Sequence, residues 1–377
     1  MHQIIVFAIP IFALLIAAEF AYGWYTRRNT YRLNDAISSL SQGLLSQVVA
    51  VCTQLFQIGL YAMIYPHIAL LKDAPLWDKW YGWVFAVVLF DFCDYWLHRA
   101  SHESAVFWAA HVVHHQSQDF NFSTALRQES AYLFLGWVFY LPMALVGVSP
   151  DLFGIAGLIV LVYQFWIHTE HVGKLGWFDR VFSSPSNHRV HHAVNDRYID
   201  KNYGAIFVLW DRMFGTFEEE TEPCVYGTRA PLNSWNPLWA VTEVYWALIQ
   251  QACRTRRWGD KVRIFLKAPG WQPADLAAAS PYPRFDIAEV TEYDPPMTQA
   301  ARTLAATGFV AMLGLTCWFL WRADEMTLFA DYVAAAGVAG GLWVVGALLS
   351  GRMQQLAGIL SLLATTSISL IACGVPG

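Results

Sequence analysis

The chain has 377 residues, of which 56% are hydrophobic, 16% aromatic and only 14% charged, with a formal net charge of −5. A typical soluble domain is roughly 25% charged, so a soluble enzyme and a disordered chain both fit poorly, and the lack of a basic surplus excludes a nucleic-acid binder. With a mean hydropathy of +0.34, the composition is that of an integral membrane protein.

A membrane-crossing helix needs about 20 mostly apolar residues. In chain order, the runs Ile4–Tyr25, Gly43–Tyr65, Trp80–Leu97, Tyr132–Val148, Leu152–Ile167, Leu304–Trp321, Met326–Leu349 and Leu356–Cys373 predict an all-α, multi-pass helical bundle. The fourth and fifth runs are short and joined only by Ser149, Pro150 and Asp151, so they read as two tilted spans or a re-entrant hairpin. The first run lacks a basic leader and a small-residue cleavage site, and reads as an anchor. Lys and Arg in short loops set orientation. Arg27, Arg28 and Arg32 place the loop after the first span in the cytoplasm. Alternation then puts Lys72 and Lys79 outside, and Arg99, Arg127, Arg352 and the stretch from His168 to Thr298 inside.

Within that stretch, residues 268–298 carry six prolines and read as an extended linker. It separates a candidate catalytic domain, residues 1–267, from a C-terminal transmembrane bundle, residues 299–377. Gly337, Gly340 and Gly341 in that bundle permit close helix packing, as a scaffold or a homodimer interface. The six cysteines are scattered without a CxxC pair, so neither a disulfide framework nor a zinc ribbon is expected.

Ten of the twelve histidines fall between His98 and His192. His98 and His102 are four apart. His111, His114 and His115 form HVVHH, His188, His191 and His192 form HRVHH, and His168 and His171 form HTEH. Offsets of three and four put side chains on one helix face, so each group can aim two or three imidazoles at one point. At three or four ligands per ion, the set is enough for two metals, and imidazole suits iron, zinc and copper. The result is a histidine-rich di-metal cap at the cytoplasmic ends of the spans. His2 and His67 stand apart.

Supporting residues lie close by. Asp91 and Asp94 sit within the third span, where an ionisable group is costly and usually functional, and share a helix face with His98. A carboxylate on the second ring nitrogen of His98 would fix its tautomer; a helix–helix hydrogen bond is the other reading. Gln164 lies one turn before His168 and is expected to approach the site. Glu103 is either a carboxylate ligand or a solvated neighbour of His102. Trp210, Phe214 and Phe217 with Asp211 and Arg212, and the run Trp235–Ile249, read as interfacial amphipathic segments.

These boxes resemble the fatty acid hydroxylase/sterol desaturase superfamily, whose pattern is HxxxH, HxxHH and HxxHH around a dinuclear metal site. The runs WLHRASHE, HVVHHQSQDFNFSTALRQ, YQFWIHTEH and SPSNHRVHHAVNDRYIDKNYGAIFVLWDRMFGTFE extend the similarity to the members that cleave alkylglycerol ether lipids, over roughly Asp91 to Trp239. The resemblance implies a membrane di-iron monooxygenase that uses O2, with tetrahydrobiopterin as electron donor in the alkylglycerol branch. The carbon beside the ether oxygen is hydroxylated there, and the hemiacetal collapses to a fatty aldehyde and a glycerol derivative. By position, the implied ligands are His98, His102, His111, His114, His115, His168, His188, His191 and His192. His171 is a tenth, and Gln164 stands where related hydroxylases carry another histidine.

C–H cleavage on an unactivated lipid lies beyond side-chain acid–base catalysis and needs a redox metal. Arg127 and Lys201 are the candidates for holding a polar headgroup or the pterin, or else are surface cations. The implied partners are a lipid substrate, the bilayer and an electron donor, pterin or a redox protein. Two alternatives remain at this stage. One is a hydroxylase or desaturase of another lipid: fatty acyl, aminolipid, sterol or terpenoid. The other is a metal transporter or structural metalloprotein, disfavoured because the histidines cluster past span ends in non-repeated segments.

Overall fold

The computed structural model describes residues 2–53 and 56–374. Among these the chain is helical with no strand, only the isolated bridges Phe182–Phe207 and Ala193–Tyr226. Helix α1 (His2–Tyr25) is strongly apolar and mostly exposed, as lipid contact requires, apart from the buried Glu19. Helices α2 (Leu33–Cys52) and α3 (Phe56–Ile68) form a bent pair; the expected run Gly43–Tyr65 crosses that break, and its residues 54 and 55 lie outside the described residues. Helix α4 (Trp80–Glu103) has 24 residues and is about 36 Å long at 1.5 Å per residue. Only Ser104 separates it from α5 (Ala105–His115).

The short α6 (Phe122–Ala125), α7 (Tyr132–Gly136) and α8 (Leu141–Val146) lead to α9 (Pro150–Trp166). The polar middle of the chain holds only α10 (Pro185–His192) and α11 (Leu209–Phe214). Next come α12 (Pro237–Arg254) and α13 (Trp258–Leu266), then α14 (Ala274–Ala279) within the Pro-rich segment. The chain closes with α15 (Gln299–Arg322), α16 (Leu328–Leu349) and α17 (Gln355–Cys373).

Four helices, α1, α15, α16 and α17, are long and apolar enough to cross a bilayer, and the bent α2–α3 pair would make five. This is fewer than the eight runs suggest. Helix α4 carries Asp91 and Asp94 in its apolar stretch, while the α7–α8 segment and α9 are short. Both ends of α4 matter for position. Lys79 precedes it, and His98 lies 19 residues on, about 28 Å along the axis. The loop cations Lys72 and Lys79 are therefore at the far end of α4 from the histidines.

Packing joins parts that are distant in sequence. Helix α2 shares a core with the C-terminal helices: Leu45 and Val48 with Phe309, Met312, Leu342 and Val345. The small residues of α16 allow this. A Cβ on Gly337 would lie 2.1 Å from Ser369 Oγ of α17, and one on Gly341 would lie 2.0 Å from Met312 Sδ of α15. A second core holds α3, α4, α8 and α9 around Phe90, Met143, Phe153 and Ala156. A third, smaller one sets Ala105 and Ala109 of α5 against Leu248 of α12 and Ile264 of α13. The Pro-rich segment is docked near its end: Gln118 Nε2 donates to the Thr291 carbonyl (3.0 Å), and Tyr293 N–H donates to Gln118 Oε1 (2.8 Å).

Candidate metal centre

The histidines come from four places. His98 and His102 are one turn apart on the last turns of α4, and α5 follows at once with His111, His114 and His115. His168 lies just past α9, and α10 brings His188, His191 and His192. That last helix has only eight residues and starts on strong signals: the Ser184 side chain accepts from Asn187 N–H, and Pro185 occupies the first turn.

Nine buried imidazoles form two sets whose ligand atoms all lie within 4.8 Å of one another inside each set. The first comprises His98, His102, His111, His115 and His191, the second His114, His168, His188 and His192. Residues i and i+4 are 40° apart around a helix, while i+3 lies 60° from i on the other side. Each HxxHH box is therefore divided. Helix α5 sends His111 and His115 to the first set and His114 to the second; α10 sends His191 to the first, and His188 and His192 to the second. The sets adjoin, with the His115 and His192 rings stacked at 4.4 Å.

The ring nitrogens face inward. Nε2 of His98 and His111 are 3.1 Å apart, as are those of His115 and His111. In the second set, His168 Nε2 lies 3.2 Å from His114 Nε2 and 3.0 Å from His188 Nε2. Nitrogens this close together can be ligands of one ion.

The outward nitrogens fix this orientation. Nδ1 of His98 donates to the Tyr203 carbonyl (2.8 Å), that of His114 to the Arg127 carbonyl (3.0 Å), that of His168 to the Gln164 carbonyl (2.7 Å) and that of His191 to the Lys201 carbonyl (3.0 Å). His111 Nδ1 meets Glu129 Oε1 at 2.6 Å. These partners can only accept, so each Nδ1 carries the hydrogen and each Nε2 lone pair points into the cluster. The Nε2 atoms of His102 and His191 are buried with no hydrogen-bond partner. An orphaned buried nitrogen costs about 1–3 kcal/mol, which a bound ion would offset. Burial, reinforced by repulsion from neighbouring imidazoles, pushes His188, His191 and His192 well below the ordinary histidine pKa, keeping them neutral as ligands must be. The donor set fits two metal ions.

The supporting residues depart from expectation. Asp94 does not pair with His98; it accepts from the Tyr140 hydroxyl at 2.7 Å. Asp91 accepts from the backbone N–H of Ile206 and Phe207 and from Trp210 Nε1. Glu103 lies on the outer flank of α4, half exposed and paired with Arg99 at 2.9 Å. Gln164 serves through its backbone carbonyl, and so does Lys201. Arg127 is a buried brace, its guanidinium bonded to the Val113 carbonyl, Ser38, Ser39 and Gln116. The polar cavity beside it measures about 20 Å³, room for one water rather than a pterin. His171 is brought to neither set and packs edge-on against Tyr22 of α1 at 5.1 Å.

Three acids do what spacing did not foretell. Glu129 supplies the carboxylate that Asp94 was expected to supply. Asp211 accepts from the N–H of Tyr203 (2.7 Å) and Gly204 (2.8 Å), so the WDRMF motif clamps the loop that orients His98 as well as packing at a surface. Glu19, within α1, accepts from Phe122 N–H at 2.8 Å and from Thr169, the neighbour of His168. The Asp211-held loop had one readable signal. Asp200 and Asn202 adopt φ of 57° and 55°, a left-handed turn that Asp and Asn tolerate best, with Lys201 and its carbonyl between them.

A helical membrane chain holding nine buried imidazoles in two adjoining sets is a histidine-ligated membrane metalloprotein. The fatty acid hydroxylase family model matches residues 83–216, the interval that contains the whole cluster. The chain is similar to alkylglycerol monooxygenase of Homo sapiens, 35% identical over 343 residues, covering 88% of this chain and 72% of that protein. It is 38% identical to the enzyme of that name from Danio rerio, over 71% of this chain and 59% of the relative. The counterpart in Caenorhabditis elegans is 32% identical, over 79% and 62% respectively. No solved structure matches significantly. The chain belongs to the alkylglycerol monooxygenase branch of the fatty acid hydroxylase family, as a lipid monooxygenase and O2-dependent oxidoreductase.

Proposed function

We propose that this protein is a di-iron monooxygenase that hydroxylates the ether-linked carbon of an alkylglycerol lipid, with a reduced pterin as two-electron donor. The observation that carries the reading is the division of nine buried imidazoles into two adjoining sets, in a chain similar to alkylglycerol monooxygenases along most of its length. One oxygen atom of O2 enters the C–H bond beside the ether oxygen, and the other leaves as water with two electrons and two protons. The hemiacetal then loses its C–O bond to give a fatty aldehyde and a free glycerol hydroxyl.

Bound iron would supply the O2 activation that this C–H cleavage demands. The chain's residues hold and shield the centre. His98, His102, His111, His115 and His191 would hold one ion, and His114, His168, His188 and His192 the other. Glu129 and the carbonyls of Tyr203, Arg127, Gln164 and Lys201 orient the rings, and burial keeps bulk water off them. The loop cations Arg27, Arg28 and Arg352 support a cytoplasmic position for the cluster by the positive-inside rule.

The test is direct. Purified protein loaded with iron, given a 1-O-alkylglycerol, tetrahydrobiopterin and O2, should release fatty aldehyde in step with O2 consumed. Release with a redox protein but not with pterin would overturn the donor. A hydroxylated acyl or amino lipid without aldehyde would overturn the substrate.

A further inference from the structure

Residues Arg254 to Lys267 gather six of the chain's 24 lysines and arginines into 14 positions: Arg254, Arg256, Arg257, Lys261, Arg263 and Lys267, against the single acid Asp260. This stretch is the elbow between α12 and α13, and it is firmly built. Thr255 Oγ1 and Arg256 N–H donate to the Asp275 carboxylate, Lys267 accepts through its carbonyl from Ala105 N–H, and Ile264 is buried against α5. Arg263 pairs with Asp260; Arg254, Arg256, Arg257 and Lys267 enter no ion pair among the described residues and are exposed.

Large apolar side chains stand out on the same elbow. Trp258 is 81% exposed, Val262 59% and Leu266 63%. Four-residue spacing sets them on one stripe of α13, within about 80° of each other, and Arg263 and Lys267 border that stripe. Helix α12 continues the surface with Trp246, 51% exposed, and Ile249, 45%. An outward apolar stripe rimmed by cations is the pattern of a helix lying in a membrane surface.

The start of α12 is tied to the end of a span. Trp235 N–H, just before α12, donates to Ser350 Oγ, the first residue past α16 (3.2 Å), and Arg352 donates to the Asn233 carbonyl. On the same face, α1 ends with exposed Trp24 and Tyr25 followed by Arg27 and Arg28, close to His171. Helix α12 thus starts where the hydrocarbon ends.

We propose that the α12–α13 elbow is an in-plane dock for an anionic lipid leaflet, its tryptophan-bearing stripe in the headgroup zone and its cations on lipid phosphates. The charge selects the occupant: a neutral apolar partner would leave Arg254, Arg256, Arg257 and Lys267 unmatched, whereas each contributes attraction near an anionic surface. Because α13 packs on α5, the dock also sets the depth of the helix that carries His111, His114 and His115. This inference does not depend on which lipid is oxidised.

The test uses the full chain in nanodiscs of phosphatidylcholine alone or with about 30% phosphatidylglycerol, followed by hydrogen exchange, with α17 as internal reference. The amides of α13 should exchange at least about threefold more slowly in the anionic discs. The slowing should vanish in about 0.5 M salt, and in a variant combining Arg254→Gln, Arg256→Gln, Arg257→Gln and Lys267→Gln that keeps its metal content. Equal exchange in the two lipids would overturn the proposal, as would slowing that survives both salt and the quadruple variant.

Discussion

Glu129 and Asp94 make the sharpest contrast among single residues. Both are partly buried acids on segments that adjoin the first histidine set, yet only Glu129 touches a histidine, His111 at 2.6 Å, while Asp94 is bonded to Tyr140. Burial raises the Glu129 pKa, and its carboxyl faces the outward Nδ1 of His111. Outer partners of metal-bound histidines typically matter by about 10–100-fold in metal affinity. Glu129→Gln keeps an acceptor but removes the charge, and should lose metal from the five-histidine set at a chelator concentration about tenfold lower than the parent. Asp94→Asn should retain metal as the parent does. Competitive chelation with metal analysis reads both, and equal loss in the two variants would remove the distinction drawn between them.

At the scale of elements, the short helices carry the site. Helix α10 is eight residues long and gives ligands to both sets; isolated helices of that length are not stable in water. Its start rests on the Ser184 cap, whose loss should cost about 1 kcal/mol. Ser184→Ala should lower the unfolding temperature slightly and weaken metal retention in both sets, because His191 faces one and His188 and His192 the other. His98→Ala on α4 should weaken the first set alone. Metal stoichiometry by mass spectrometry separates these outcomes. Loss confined to one set in Ser184→Ala would contradict the shared role of α10.

For the whole molecule, the ions close a structure whose centre is otherwise unsatisfied. Nine lone pairs converge from α4, α5, α10 and the end of α9, with Nε2 of His102 and His191 lacking any partner. Ions that bind only the folded chain stabilise it by about 2.7 kcal/mol per site at a free concentration of 100 times Kd. Chelation should therefore lower the unfolding temperature in detergent by several degrees, and iron or zinc should restore it, since imidazole sites accept both. An unchanged unfolding temperature after complete metal removal would show that the cluster folds without need of its ions.

The sequence by itself determined the membrane class and the all-helical architecture, since hydrophobic runs and low charge are properties of composition. It also marked the histidines as a cluster, because the HxxHH spacing on one helix can be read locally, although each box divides between the two sets. The acids were another matter. Asp94 shares a helix face with His98, but face alone does not say which neighbour is nearer, and Tyr140 of a different segment claimed it. Glu129 and Asp211 reach their partners across 18 and 8 residues of chain, through loops whose course no periodicity encodes. The count of spans fell because α4 carries Asp91 and Asp94 in its apolar stretch and the α7–α8 segment and α9 are short. Only the tertiary structure decided how the boxes divide between two ions, that α2 belongs to the C-terminal bundle, and that His171 faces Tyr22 rather than the cluster. Each of these depends on packing between segments far apart in sequence, where side-chain volume and hydrogen-bond geometry choose among contacts that the pattern alone leaves equal.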